Sequence, residues 1–168
     1  MKFIDYDDRL ANKVYKHFMN KYGDKFGKSN AWGYAAEALV RQYYGHPVDD
    51  NWYKCEEGNG WDYVDNEGYK IDVKNCRCSY YYFSTIDNMW IIHDYKGLNA
   101  DCYLCTCMDP FTKKIALIGW ITPEELKAKC THLRHKELTP KGWEMNGSGY
   151  IVRLDDLHLI HPAKQENT

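Results

Sequence analysis

The chain has 168 residues, 44% of them apolar and 27% charged, with a formal net charge of −2. That is enough apolar material for one sizeable core, and residues 1–168 read as a single domain without internal repeats or low-complexity segments. A mean hydropathy of −0.70 without a long apolar run excludes a membrane span, the acid-bearing N-terminus Met-Lys-Phe-Ile-Asp-Tyr-Asp-Asp-Arg is no signal peptide, and a near-neutral balance excludes the strongly basic class of nucleic-acid binder; a cytoplasmic protein is the expectation.

Leu10, Val14, Tyr15 and Phe18 recur at helical spacing and predict a first helix over residues 5–22. Gly23 to Ser29 is polar and reads as a linker. A second helix runs from Asn30 to Tyr44, capped by Asn30 or Ser29 and ended by Gly45-His46-Pro47. Glu37 lies in it among Ala36, Ala38, Leu39 and Val40, a setting in which a carboxylate needs a partner. The plain partner is Arg41, four residues on, in a pair worth a few tenths of a kcal/mol.

Trp61 to Asn75 predicts a tight hairpin. Asp65-Asn66-Glu67-Gly68 is turn chemistry, with Gly68 available for a positive φ. From Tyr69 onward, Tyr69, Ile71 and Val73 alternate with Lys70, Asp72 and Lys74. Residues two apart in a strand share a face at roughly 6.6 Å, so Asp72 and Lys74 point the same way. A three-residue loop that pairs Asp65 with Tyr69 sets Asp62 opposite Asp72. Like charges directly opposed destabilise a sheet, and a bound cation turns that repulsion into attraction. A register slip of one residue would send Asp62 to the other face.

Downstream, residues 80–86 predict a third strand, and the run Tyr80-Tyr81-Tyr82-Phe83 in it reads first as a strand with aromatics on both faces and second as a stacking surface for unpaired bases. Asp87 to Leu98 contains Met89-Trp90-Ile91-Ile92, open to helix or strand. Residues 101–108 and 114–120 predict two strands joined by an Asp109-Pro110 turn. Thr122-Pro123-Glu124-Glu125 opens a helix with a capping box and proline at its first position. Residues 142–149 are loop-rich, Tyr150 to Leu154 predicts a late strand, and a polar tail follows Pro162.

Glu37 on a helix, Asp62 on the first strand of a hairpin and Asp72-Val73-Lys74 on the second stand in an order that resembles the PD-(D/E)XK, or restriction-endonuclease-like, nuclease superfamily. Trp61 stands where the family's nominal proline would be. The resemblance covers residues 30–125 in topology and those few positions in residue type. It implies an α/β fold, an α-β-α sandwich around a central mixed β-sheet, and Mg-dependent hydrolysis of phosphodiester bonds, with Mn as a substitute ion. DNA is the implied substrate, RNA the other polynucleotide of the same chemistry, and a homodimer is an assembly such nucleases often use. Glu37, Asp62, Asp72 and the Val73 carbonyl are the implied metal ligands. Lys74 joins Glu37, Asp62 and Asp72 as a catalytic group, because an ammonium steadies the charge that develops on phosphate. Lys70, Asn75 and Arg77 are the expected nucleic-acid contacts. A catalytically silent nucleic-acid-binding or assembly protein that keeps the fold stays open as the alternative.

Other motifs compete less well. The seven cysteines are Cys55, Cys76, Cys78, Cys102, Cys105, Cys107 and Cys130, an odd number that argues against a disulfide framework. In a regular strand Cys102 faces away from Cys105 and Cys107, which weakens a metal-cluster reading of that run. His132-Leu-Arg-His135 and His158-Leu-Ile-His161 have ligand-like spacing but lack a nearby third ligand, and read as surface or loop histidines. The basic run of Lys127, Lys129, Arg134, His135 and Lys136 reads first as a solvated helix and loop, and second as a phosphate-facing patch.

Overall fold

The computed structural model describes residues 2–5, 7–48, 60–77, 89–95, 97–109 and 112–160. Its element order is β1 (Lys2–Asp5), α1 (Asp8–Tyr43), β2 (Tyr63–Val64), β3 (Lys70–Arg77), β4 (Met89–His93), β5 (Cys102–Asp109), β6 (Lys114–Ile121), α2 (Pro123–Lys129), β7 (Thr131–Leu133), β8 (Gly149–Arg153) and β9 (His158–Leu159). A 3₁₀ turn at Leu154–Asp156 precedes β9.

The first helix starts later than its periodicity alone predicts. Lys2–Asp5 is drawn into the sheet as β1, and Asp7 becomes the N-cap, accepting from the N–H groups of Arg9 and Leu10 at 2.8 and 3.3 Å. The expected linker at 23–29 is helical except for Gly23, whose φ of 70° and ψ of −177° break α1 into two arms. Phe18 stacks on Tyr34 at 3.7 Å between ring centroids, and Tyr15 meets Trp32 at 4.7 Å. Residues sixteen apart in a straight helix lie about 24 Å apart, so these contacts require the chain to turn back at Gly23. The two arms thus make a helical hairpin, with Val14 and Phe18 packed among Ala31, Ala35, Ala36 and Ala38.

The main sheet is mixed, in the order β1-β6-β5-β3-β2, with β9 also paired to β6. β3 and β5 are parallel; the other pairs are antiparallel. Ile71, Val73, Leu104, Met108, Ile115 and Leu117 turn one face of the sheet to α1. Tyr103, Cys105, Cys107, Ala116 and Ile118 turn the other face to a second core. That core is closed by a three-stranded sheet, β4-β8-β7, and by Leu126 of α2. Trp90 of β4, 1% exposed, ties the layers together by donating its indole N–H to the Thr106 carbonyl at 2.8 Å. The class is α/β as expected, but the layer opposite α1 is a small sheet plus one short helix rather than a layer of helices. Asp87 to Leu98, open to either structure in sequence, supplies the strand β4. The expected strand at 80–86 lies outside the described residues. Cys102 packs with the α1-side core while Cys105 and Cys107 belong to the other, as strand alternation requires. Cys107 is disulfide-bonded, while Cys76, Cys102, Cys105 and Cys130 are free. Among the described residues no helix is long and apolar enough to cross a membrane.

Candidate active site on the β2–β3 hairpin

The hairpin forms in the register that turn chemistry dictates. Asp65 donates its N–H to the Tyr69 carbonyl at 2.9 Å, and its Oδ1 accepts from the N–H groups of Glu67 and Tyr69, both at 2.9 Å. Gly68 takes the positive φ, 92°, that closes the loop. Tyr63 pairs with Ile71 and Val64 with Lys70, which sets Asp62 across from Asp72.

The two acids meet. Asp62 and Asp72 share a side-chain hydrogen bond, and Asp62 Oδ2 also accepts the Val73 N–H at 2.6 Å. Lys74 Nζ lies 2.7 Å from Asp72 Oδ1. Burial is the largest influence on both acids and raises both; for Asp62 the neighbouring Asp72 charge adds to it, and its carboxyl is pushed up to about 8. The shared hydrogen bond raises Asp62 and lowers Asp72, which favours Asp62 as the member of the pair that holds a proton. Burial works against the Lys74 ammonium, but Asp72, Asp62 and Glu37 outweigh it and hold that group protonated well above its ordinary range. Glu37 is therefore within electrostatic reach of Lys74 from α1.

Arg41 does more than the i,i+4 pairing the sequence suggests. Its guanidinium donates to the Asp62 carbonyl and, at 3.1 Å, to the Pro47 carbonyl, fastening the acid-bearing strand to the end of α1. Nothing in the spacing of the sequence signals that contact. Tyr103, paired with Asp72 across β3 and β5, is a second unforeseen neighbour. Burial, aided by the Asp72 charge, pushes its phenol up to about 12.

The expected nucleic-acid contacts separate. Lys70 is on the face of Asp72 and Lys74, with its ammonium 4.6 Å from the Trp61 ring centroid. Asn75 is on the opposite face by alternation, and its Oδ1 accepts from the buried Thr106 hydroxyl at 3.2 Å. Arg77 ends β3, paired with Met108. Val73 pairs with Leu104 in the parallel ladder.

Among the described residues no group of three or more His, Cys, Asp and Glu side chains converges as a metal site. The donor set that does converge is Asp62 and Asp72. Once deprotonated, the two adjacent carboxyls are hard oxygen donors that fit Mg, an ion that keeps several waters and needs only one or two carboxylates. One histidine of each pair has another partner: His132 Nε2 lies 2.8 Å from Asp94 Oδ2, and His158 Nε2 lies 2.7 Å from Glu125 Oε1, while His161 lies outside the described residues. Burial raises the thiols of Cys76, Cys102 and Cys130 to about 12, so none is an activated nucleophile.

No protein-family model matches the chain, and no curated protein is detectably similar to it.

Proposed function

We propose that this chain is a Mg-dependent nuclease of the restriction-endonuclease-like kind, hydrolysing phosphodiester bonds in DNA. The observation that carries the reading is the juxtaposition of Asp62, Asp72 and Lys74 on one face of the β2–β3 hairpin. The order of the elements supports it further: an acid-bearing helix, a hairpin with an acid on its first strand and Asp-x-Lys on its second, then β5 parallel to β3 and β6 antiparallel to β5.

Asp62 and Asp72 would hold the ion, with Glu37 of α1 a further acid within electrostatic reach of Lys74. When bound, Mg supplies Lewis-acid stabilisation of the phosphate and a water of lowered pKa. The rest is the work of the chain's own side chains. The carboxylates that keep Lys74 protonated give the site a fixed cation, suited to the charge that grows on phosphate in the transition state. Arg41 holds the Asp62 backbone through its carbonyl, and the Val73 N–H holds one oxygen of the Asp62 carboxyl. A domain kept only for binding would have no reason to hold two acids together against their repulsion.

The test is degradation of supercoiled, linear and single-stranded DNA by purified protein in Mg and in Mn, with Asp72→Asn beside it. Cleavage that needs the ion and is absent from the variant is the expected result. Absence of cleavage on all three substrates in both metals would overturn the reading in favour of a silent binding or assembly protein.

A further inference from the structure

The connection between β7 and β8 is an ordered hairpin of its own. Lys136 donates its N–H to the Met145 carbonyl and Met145 its N–H to the Glu137 carbonyl, both at 2.9 Å. Thr139 donates its N–H to the Trp143 carbonyl at 2.8 Å, and its hydroxyl accepts the Trp143 N–H at 3.1 Å. Thr139 and Met145 are buried, at 4% and 1% exposed, and anchor the loop to the body. The same loop holds Trp143 60% exposed and Leu138 64% exposed. A chain segment fixed by this many bonds while it presents an indole to water is built to meet a partner.

Three observations say what the partner is. The small sheet that carries this hairpin covers the face of the main sheet on which Asp72 and Lys74 stand, since their ladder partners Tyr103 and Cys105 belong to the core beneath it. Lys141, in the hairpin's turn, acts electrostatically on Cys76, which continues the Asp72–Lys74 face two residues on. And the Lys141 ammonium lies 5.6 Å from the centroid of the Trp143 ring, a cation and an aromatic face set side by side. An indole for stacking next to an ammonium for phosphate is the pairing that binds unpaired nucleic acid without regard to sequence. Of the hairpin's two acids, Glu137 accepts the Arg134 N–H at 2.6 Å and Glu144 is exposed, against the basic Arg134, Lys136 and Lys141.

We propose that the Arg134–Met145 hairpin is a single-strand clamp: Trp143 stacks on a base and Lys141 takes the adjacent phosphate, drawing an unpaired strand along the Cys76 end of β3 toward Lys74. The proposal deepens the nuclease reading by naming its substrate form, single-stranded or locally unpaired DNA, and rests on that reading for the direction of the strand.

The experiment is fluorescence anisotropy in EDTA with a labelled oligothymidylate and with an abasic strand of the same length, on wild type, Trp143→Ala, Trp143→Phe and Lys141→Ala. Trp143→Ala removes no backbone bond of the hairpin, and unchanged melting confirms its fold. Expected is about tenfold or greater weakening of oligothymidylate binding by Trp143→Ala, retention by Trp143→Phe, and equal binding of the abasic strand by all three. Lys141→Ala weakens both strands and lowers the salt slope by roughly one. Wild type that binds no oligonucleotide, Trp143→Ala that binds like wild type, or Trp143→Ala that loses both strands equally, each overturns the clamp. Plasmid cleavage in Mg by the same preparations separates the two readings. Cleavage without Trp143-dependent binding removes the clamp and keeps the nuclease. Trp143-dependent binding without cleavage keeps the clamp and removes the nuclease.

Discussion

Glu125 and Asp62 are both half-buried acids with basic and hydroxyl or amide donors at hand, yet they are driven in opposite directions. Glu125 accepts from Lys129 at 2.8 Å, from His158 at 2.7 Å, and from the Thr122 N–H and hydroxyl at 3.2 and 3.3 Å. Those donors, the Lys129 ammonium first, bring its carboxyl down to about 2. Asp94 behaves in the same way: burial works against its charge, but the Ser148 hydroxyl and His132 outweigh burial and lower it. At the β2–β3 hairpin burial wins on both acids: the Asp72 charge raises Asp62 further, while Lys74 and the hydrogen bond from Asp62 only partly offset the burial of Asp72. A carboxylate that serves the fold is surrounded by donors until its charge is comfortable. A pair whose charge stays disfavoured despite Lys74 and the Val73 N–H is a candidate functional site.

The strongest way to break that comparison is to remove the acids. Asp72→Asn is expected to lower Mg-dependent cleavage by about 1,000-fold or more, because the ion loses one of its two carboxylates. It is also expected to melt close to wild type, since the Lys74 ion pair and the acid–acid repulsion are lost together while the amide keeps a bond to Asp62. A variant that cuts at the wild-type rate would remove the site. Lys74→Ala comes next, with a loss of around 100-fold in single-turnover cleavage. Its Mn affinity by calorimetry should stay within about threefold of wild type, because an ammonium ligates no cation. Equal rates for the two proteins would leave only a carboxylate pair of unknown purpose.

The parts of this site that the sequence made legible are those fixed by short-range chemistry. The turn Asp65 to Gly68 permits one loop length, loop length sets register, and register puts Asp62 opposite Asp72. The capping box at Thr122 was visible for the same reason. What stayed hidden is tertiary. Lys2–Asp5 has no strand signal strong enough to stand apart from a helix start, and it is a strand only because β6 offers an edge. The helical turn-back at Gly23 was read as a longer linker because polar residues after it carry no periodicity. Arg41 has a ready local partner in Glu37, so nothing in one dimension points it at the Asp62 carbonyl. Asn75, three residues past Asp72, was grouped with the site by proximity although strand alternation sends it to the other face.

The pH dependence of stability sharpens the same contrast with a smaller effect. Asp62 is raised in the folded state, so its contribution is complete below its ordinary carboxylate range, near about 3.9, and is lost as pH rises through about 8. Glu125 is lowered, so its contribution is complete above about 4.3 and is lost as pH falls toward about 2. In EDTA, the melting temperature of Asp62→Asn should therefore fall less than that of wild type between about pH 5 and about pH 8. Glu125→Gln should keep the wild-type slope there and lose the acid-side one. Mn affinity should climb with pH up to about 8, because the proton held by Asp62 must leave when both carboxylates are engaged. Identical slopes for wild type and Asp62→Asn would mean that the pair carries no strain.

The smallest expected effect is at the comfortable end of the comparison. Thr122 caps α2 by accepting the Glu125 N–H on its hydroxyl at 3.3 Å, while the Glu125 carboxylate returns a bond to the Thr122 N–H. Thr122→Ala removes the hydroxyl and leaves Glu125 with Lys129, His158 and the backbone N–H. The loss is that of one helix cap, about 1 kcal/mol, or about 2–4 °C in melting temperature for a chain of this size. Cleavage should not change, since α2 and the β2–β3 hairpin share no residue of the site. The sign is the informative part. Deleting a group from the satisfied cluster destabilises the fold and spares the chemistry, whereas deleting Asp72 spares the fold and removes the chemistry. Thermal melts and plasmid cleavage on Thr122→Ala and Asp72→Asn, made side by side, read both signs. A Thr122→Ala protein that melts like wild type would mean that Lys129 and His158 hold Glu125, and with it the start of α2, without the cap.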